Sequence, residues 1–204
     1  METVAYYLAL VSVMAVPAGL AAWFVLHLFA PRWRGVSPVA VRAATVVVVL
    51  TVMGVVFLMR GPVLKLHFGV SVPLVAAAII LFGLSSYLRV QILRELPMRV
   101  VLDLPGIRGR DAGELITTGI YSRMRHPGYV AMSLVVAAVA LFTNYLAMYV
   151  VALGYVSLIS LAAVLEEREL AVRFPGVYAA YCARVPRFVP RFSVRVRRWK
   201  GDAT

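Results

Sequence analysis

Gly119-Ile120-Tyr121-Ser122-Arg123-Met124-Arg125-His126-Pro127-Gly128-Tyr129 opens onto an apolar run from Tyr129 to Phe142, a Thr143-Asn144 turn and a second apolar run from Leu146 to Leu165. Runs of 14 and 20 residues joined by so short a polar turn predict a tight helical hairpin. Pro127 suits the first turn of a helix, where its missing N–H costs nothing, so the first arm is predicted to start at His126 or Pro127. The uncapped amides of that turn, at the positive end of the helix dipole, suit a carboxylate or phosphate. At about 1.5 Å per residue the first arm covers roughly 21 Å, against a hydrocarbon core of about 30 Å. Its start is therefore expected below the membrane surface. The second arm ends at Glu166-Glu167-Arg168-Glu169, which an up-and-down hairpin returns to the face of His126.

Working outward, the rest of the chain agrees with a bilayer. With 62% apolar residues, 15% charged and a mean hydropathy of +0.88, 204 residues have too little polar surface for a soluble domain. The expected fold class is all-α, a single polytopic membrane domain. Tyr6 to Phe29 is apolar for 24 residues and reads as a retained first span, since no basic residue precedes it as in a signal peptide. A basic, aromatic connector from Pro31 to Pro38 leads to a second span, Val39 to Met59, and Arg60 to Gly69 is the next loop. Val70 to Leu88 is the third span, continuing in helical register through Arg94 and Glu95. Residues 1–96 thus form an amino-terminal helical part, 97–190 a core and 191–204 a basic tail. Pro97 to Thr118 is a long polar loop, expected to act as a pocket wall.

Loop charges orient these five spans. With the amino terminus outside, Arg32, Arg34 and Arg42, the loop carrying Arg94 to Arg125 and the basic tail fall inside, while the uncharged Thr143-Asn144 turn falls outside. The carboxyl terminus and the His126 site are then cytoplasmic. The net charge of +12 is mostly a product of this distribution. The tail from Arg184 to Lys200 interleaves seven basic residues with aromatic and aliphatic ones, a pattern for lying on anionic lipid rather than for nucleic acid. Cys182 is the sole cysteine, which excludes an internal disulfide, and it reads as a small packing residue.

The residues to weigh are Glu114, Tyr121, Arg125, His126, Tyr129, Glu166, Glu167, Tyr178 and Tyr181. Adjacent carboxylates at the end of a membrane helix are costly unless solvated or paired, so Glu166 and Glu167 either mark the interface or bind a cation or hydroxyls. No metal set is expected, because the three histidines are scattered and there is no thiol cluster. There is also no glycine-rich phosphate loop after a strand and no ordered serine nucleophile. The residues alone give a membrane protein with one cytosol-facing polar pocket, an enzyme ahead of a transporter or structural subunit.

The pattern Gly119-Ile120-Tyr121, Arg125-His126-Pro127-Gly128-Tyr129, a hairpin, Glu166-Glu167-x-x-Leu170, Phe174-Pro175-Gly176-x-Tyr178-x-x-Tyr181 and Val185-Pro186 to Pro190 resembles the carboxyl-terminal core of the isoprenylcysteine carboxyl methyltransferase and phospholipid methyltransferase group. The resemblance covers Gly113 to Pro190. It implies an S-adenosylmethionine pocket where the last two membrane helices meet the cytosol, with contacts from Glu114, Leu115, Ile116, Tyr121, His126, Pro127, Gly128, Tyr129 and Glu166. The acceptor it implies is lipophilic and membrane-borne: an isoprenylcysteine-like carboxylate, or a lipid amine or thiol. For an amine, Glu167 would take the proton. Prenylcysteine enzymes carry a substrate-contacting arginine one turn before the paired glutamates, where this chain has Ala162; Arg125 or Arg123 would have to replace it. Two other classes share parts of the pattern: an NADPH-dependent sterol reductase and a non-enzymatic membrane subunit.

Overall fold

The computed structural model describes residues 1–28, 36–96 and 115–190. Among these the chain is helical, with no strand beyond one isolated bridge. In order come α1 (Glu2–Leu28), α2 (Pro38–Leu58), the one-turn α3 (Arg60–Val63), α4 (Val72–Glu95), a 3₁₀ turn (Gly119–Ser122), α5 (Pro127–Thr143), α6 (Leu146–Arg173) and α7 (Val177–Arg184). Four of them, α1, α2, α4 and α6, are long and apolar enough to cross a membrane, and α5 is a shorter apolar helix. Large hydrophobic side chains such as Leu50, Ile80, Phe82 and Leu153 stand exposed on their outer faces. A continuous apolar exterior of this kind is what lipid, not water, covers. The protein is an all-α membrane protein.

The helices pack through small residues. Ala5, Ala9, Val13 and Ala18 form a buried stripe on α1, which lets the helix backbones approach closely where no hydrophobic effect drives them together. α1 packs on α2, α5 and α6, and α4 lies along α5. The hydroxyl of Ser85, fully buried on α4, donates to the Ala131 carbonyl of α5 at 2.7 Å.

The hairpin forms as its sequence predicts, with two differences of extent. α5 runs for 17 residues, from the proline at its first turn to Asn144, which adopts a left-handed conformation (φ 53°). It covers about 25 Å at 1.5 Å per residue and so remains shorter than a hydrocarbon core of about 30 Å. α6 does not end at Glu166–Glu169: it continues to Arg173. Arg168 to Arg173 are mostly good helix formers, and the helix stops only where Phe174 precedes Pro175 and Gly176 takes φ 75°. Glu166 and Glu167 therefore project from within a helix, about 30 Å along its axis from Leu146. The segment Arg60–Gly69 also differs from a plain loop. It contains α3, and its backbone pairs with the α5–α6 turn: Phe68 N–H donates to Asn144 O at 3.1 Å and Leu146 N–H to Leu66 O at 3.1 Å.

Candidate functional site

At the other end of the hairpin, the start of α5 meets the far part of α6. His126 is the residue before the first turn of α5, and its imidazole is buried at 6% exposure. The ring stacks on Tyr129 at 5.3 Å between centroids and packs at a tilt on Phe188 at 6.0 Å. Its Nε2 lies 3.0 Å from Glu167 Oε1, and its Nδ1 lies 3.7 Å from Glu166 Oε2. One histidine thus touches both adjacent carboxylates. With the proton on Nε2 it donates to Glu167 and turns an unprotonated nitrogen towards Glu166.

The two glutamates have different surroundings. Glu167 has a side chain 12% exposed and both oxygens engaged. Arg187 grips it as a fork, Nε donating to Oε1 at 2.9 Å and Nη2 to Oε2 at 2.7 Å, and Arg125 Nη1 lies 3.2 Å from Oε1. Two guanidiniums and an imidazole make this buried carboxylate affordable. The hydrogen bond to Glu167 also holds the Arg187 pKa above its ordinary value. Glu166, at 38% side-chain exposure, receives the Tyr129 hydroxyl at 2.6 Å on Oε2. Among the described residues no hydrogen bond falls on its second oxygen.

Below these groups the floor is built by the 3₁₀ turn and α7. The Tyr181 hydroxyl donates to the Tyr121 carbonyl at 2.6 Å, and Tyr178, Tyr181 and Val185 form a buried cluster against Leu115 and Leu170. Burial, then the charges of Glu166 and Glu95, push the Tyr121 hydroxyl up to about 12, so it stays protonated at neutral pH. Gly119 takes φ 53°, a conformation that favours glycine, and the Glu95 carboxylate, which accepts from Thr118 Oγ1 at 2.5 Å, lies beside it where a side chain would stand. Beside Gly128 a Cβ would meet nothing within 4 Å. Gly128 is exposed, so the space beside the first turn of α5 is open there.

Of the residues expected at the site, Tyr121, Arg125, His126, Pro127, Gly128, Tyr129, Glu166 and Glu167 converge at this end of the hairpin; Leu115 packs against the Tyr178, Tyr181 and Val185 cluster, and Ile116 follows it in the chain. Glu114 lies outside the described residues. Arg125 is occupied: besides Glu167, its Nη1 donates to Cys182 Sγ at 2.6 Å, while its buried Nε has no partner. Cys182 is thus a guanidinium contact as well as a packing residue. The residue missing from the sequence reading is Arg187. It was expected to face lipid as part of the basic tail, but Pro186 and Arg187 accept backbone hydrogen bonds from Arg125 N–H at 2.9 Å and His126 N–H at 3.1 Å, which bring this segment into the site. A signal was present in Val185-Pro186 and Pro190: each proline restricts its own backbone and that of the residue before it, which argues against a free tail here. Among the described residues, no group of three or more His, Cys, Asp or Glu side chains is arranged to hold a metal ion.

Residues 73–175 match the phospholipid methyltransferase family. This stretch contains α5, the paired glutamates and the 3₁₀ turn. The chain is also 36% identical over 99 residues to the cobalt-zinc-cadmium resistance protein CzcN of Cupriavidus metallidurans, an alignment covering 48% of this chain and 44% of that protein. It spans less than half the length of this relative. No solved structure matches it.

Proposed function

Because this chain belongs to the phospholipid methyltransferase family, we propose that it transfers a methyl group from S-adenosylmethionine to a lipophilic, membrane-borne acceptor. The observation that carries the reading is the contrast between the two adjacent carboxylates: Glu167 is saturated by Arg187, His126 and Arg125, while Glu166 keeps an oxygen for a ligand. The residues present fit the cofactor. Glu166 suits its ammonium, the first-turn amides of Gly128 and Tyr129 suit its carboxylate, and the faces of Tyr121 and Tyr129 suit a cation at sulfur. The open space beside the exposed Gly128 leaves room for it. When bound, S-adenosylmethionine supplies an electrophilic methyl group on a sulfonium.

The chain's own residues then have positional work. Glu166 and the start of α5 fix the donor, and the apolar walls around Tyr129 and Tyr155 exclude water. For a carboxylate or thiolate acceptor no base is needed. For an amine, Glu167 takes the proton only after one of its partners lets go, since both its oxygens are engaged. Ala162 is fully buried among Val136, Tyr155 and Ile159, so the position where prenylcysteine enzymes carry their arginine faces packing in this protein. A neutral lipid amine or thiol is therefore favoured over a prenylcysteine carboxylate. By the positive-inside rule, the arginines described at the site end, Arg123, Arg125, Arg168, Arg184 and Arg187, favour a cytoplasmic site. The resistance role in the relative's name suggests an acceptor connected with metal stress. The test is transfer of a labelled methyl from S-adenosylmethionine into extracted membrane lipids by the detergent-purified protein. Label in the lipid fraction that disappears with Glu166→Gln supports the reading; no label from any lipid fraction, with or without carboxylate-bearing prenyl compounds, overturns it.

A further inference from the structure

Residues 185–188 leave α7 as a bent, irregular segment and cross the start of α5. Three kinds of contact hold them there: the backbone bonds from Arg125 N–H to Pro186 O and from His126 N–H to Arg187 O, the packing of Phe188 on the His126 ring, and the Arg187 fork on Glu167. The fork is the polar link to α6, which the segment otherwise meets through the cluster that holds Val185 and Leu170. Without it Glu167 would keep two partners, His126 Nε2 at 3.0 Å and Arg125 Nη1 at 3.2 Å, both on its Oε1. Its other oxygen, which accepts from Arg187 Nη2, would then be drawn towards the nearest remaining donors, and His126 would follow. His126 lies between the two carboxylates, with its Nδ1 3.7 Å from the Glu166 oxygen that accepts from Tyr129, so a shift of its ring disturbs that pair.

We infer that Arg187 is a positioning residue for the cofactor site: by pinning Glu167 in a fork it fixes His126 and leaves Glu166 as the carboxylate available to the ligand. This rests on the methyltransferase reading. Arg187 itself does not touch the ligand, and its role depends on planar geometry. The two parallel bonds from Nε and Nη2 need a guanidinium, and an ammonium makes one contact at most.

The experiment measures three quantities on the full-length protein in detergent for Arg187→Ala and Arg187→Lys: S-adenosylmethionine affinity by calorimetry, hydrogen exchange at the Arg125 and His126 amides, and the thermal midpoint of the ligand-free protein. Arg187→Ala should bind the cofactor roughly ten- to a hundredfold more weakly, the scale set by an ångström of misplacement at a site. Exchange at the two amides should rise with it. Arg187→Lys should behave closer to Arg187→Ala than to the wild type while keeping the thermal midpoint, which separates positioning from stability and stands in for Arg187→Ala if that variant does not fold. Wild-type affinity in Arg187→Lys, or a lowered midpoint at unchanged affinity, overturns the inference. Failure of the wild type to bind S-adenosylmethionine overturns the methyltransferase reading, and this inference with it.

Discussion

The two ends of the α5–α6 hairpin carry the same kinds of side chain and use them differently. At the turn end, His67 stacks on Tyr145 at 4.3 Å, with its Nε2 3.3 Å from Glu2 Oε2 but out of line for a hydrogen bond. At the other end, His126 stacks on Tyr129 and lies 3.0 Å from Glu167. The polar groups of the turn end close on the chain itself: Asn144 Nδ2 donates to Gly69 O at 2.7 Å and Tyr149 donates to Asn144 Oδ1 at 2.8 Å. Glu2, 62% exposed, is a single carboxylate whose Oε1 accepts from the Val70 N–H at 3.1 Å. The site end has two carboxylates, of which the buried one is neutralised and the more exposed one is left with capacity. A histidine, a tyrosine and a glutamate do not make a site; unspent bonding capacity beside open helix-start amides does.

Substitutions can break this comparison. The largest effect is expected for Glu167→Ala, which strands Arg125, Arg187 and His126 around a missing carboxylate. Breaking a buried pair of this kind costs roughly 3 kcal/mol, so the thermal midpoint and cofactor binding should fall together. A variant as stable as the wild type would mean that the cluster is not holding α6 to the carboxyl-terminal segment. Next come Glu166→Gln and His126→Ala, expected to weaken cofactor binding at least about tenfold. Glu166→Gln should do so with little change in thermal midpoint, because its side chain is partly exposed.

The matching changes at the turn end should have the opposite profile. Asn144→Ala loses two side-chain hydrogen bonds and forces alanine into a left-handed conformation, for a cost of about 2 kcal/mol in stability. Cofactor affinity should stay at the wild-type value; loss of binding there would couple the two ends. The smallest effect concerns pH. Tyr121 titrates at about 12 against an ordinary 10.0, so the folded protein favours its protonated form. The stability this contributes is complete below the unfolded value and is lost as pH rises through about 12. Phenolate absorbance in an alkaline titration should show one tyrosine fewer ionising near pH 10 in Tyr121→Phe if that shift is absent, and an unchanged count there if it is present.

Much of this architecture was legible in the sequence because membrane helices announce themselves by length and composition. Pro127 marked the start of α5 to within one residue. The meeting of His126 with Glu166 and Glu167 followed from two apolar runs and a short turn. Three features were not legible. The extra length of α6 depended on helix formers with no apolar signal. The pairing of residues 66–69 with the α5–α6 turn joins loops some 75 positions apart, as Asn144 and Gly69 show, through backbone groups that carry no sequence signature. Arg187 was hidden among basic residues whose average character suits a lipid surface; the fork on Glu167 and the backbone bonds from Arg125 and His126 place it, and averages see neither.

The most direct measurement is calorimetric titration of the detergent-purified protein with S-adenosylmethionine, S-adenosylhomocysteine and NADPH, for the wild type, His126→Ala and His67→Ala. Binding of the two adenosyl compounds and not NADPH, lost in His126→Ala and kept in His67→Ala, is the predicted result. Binding of NADPH alone, or equal loss of affinity in the two histidine variants, would contradict it.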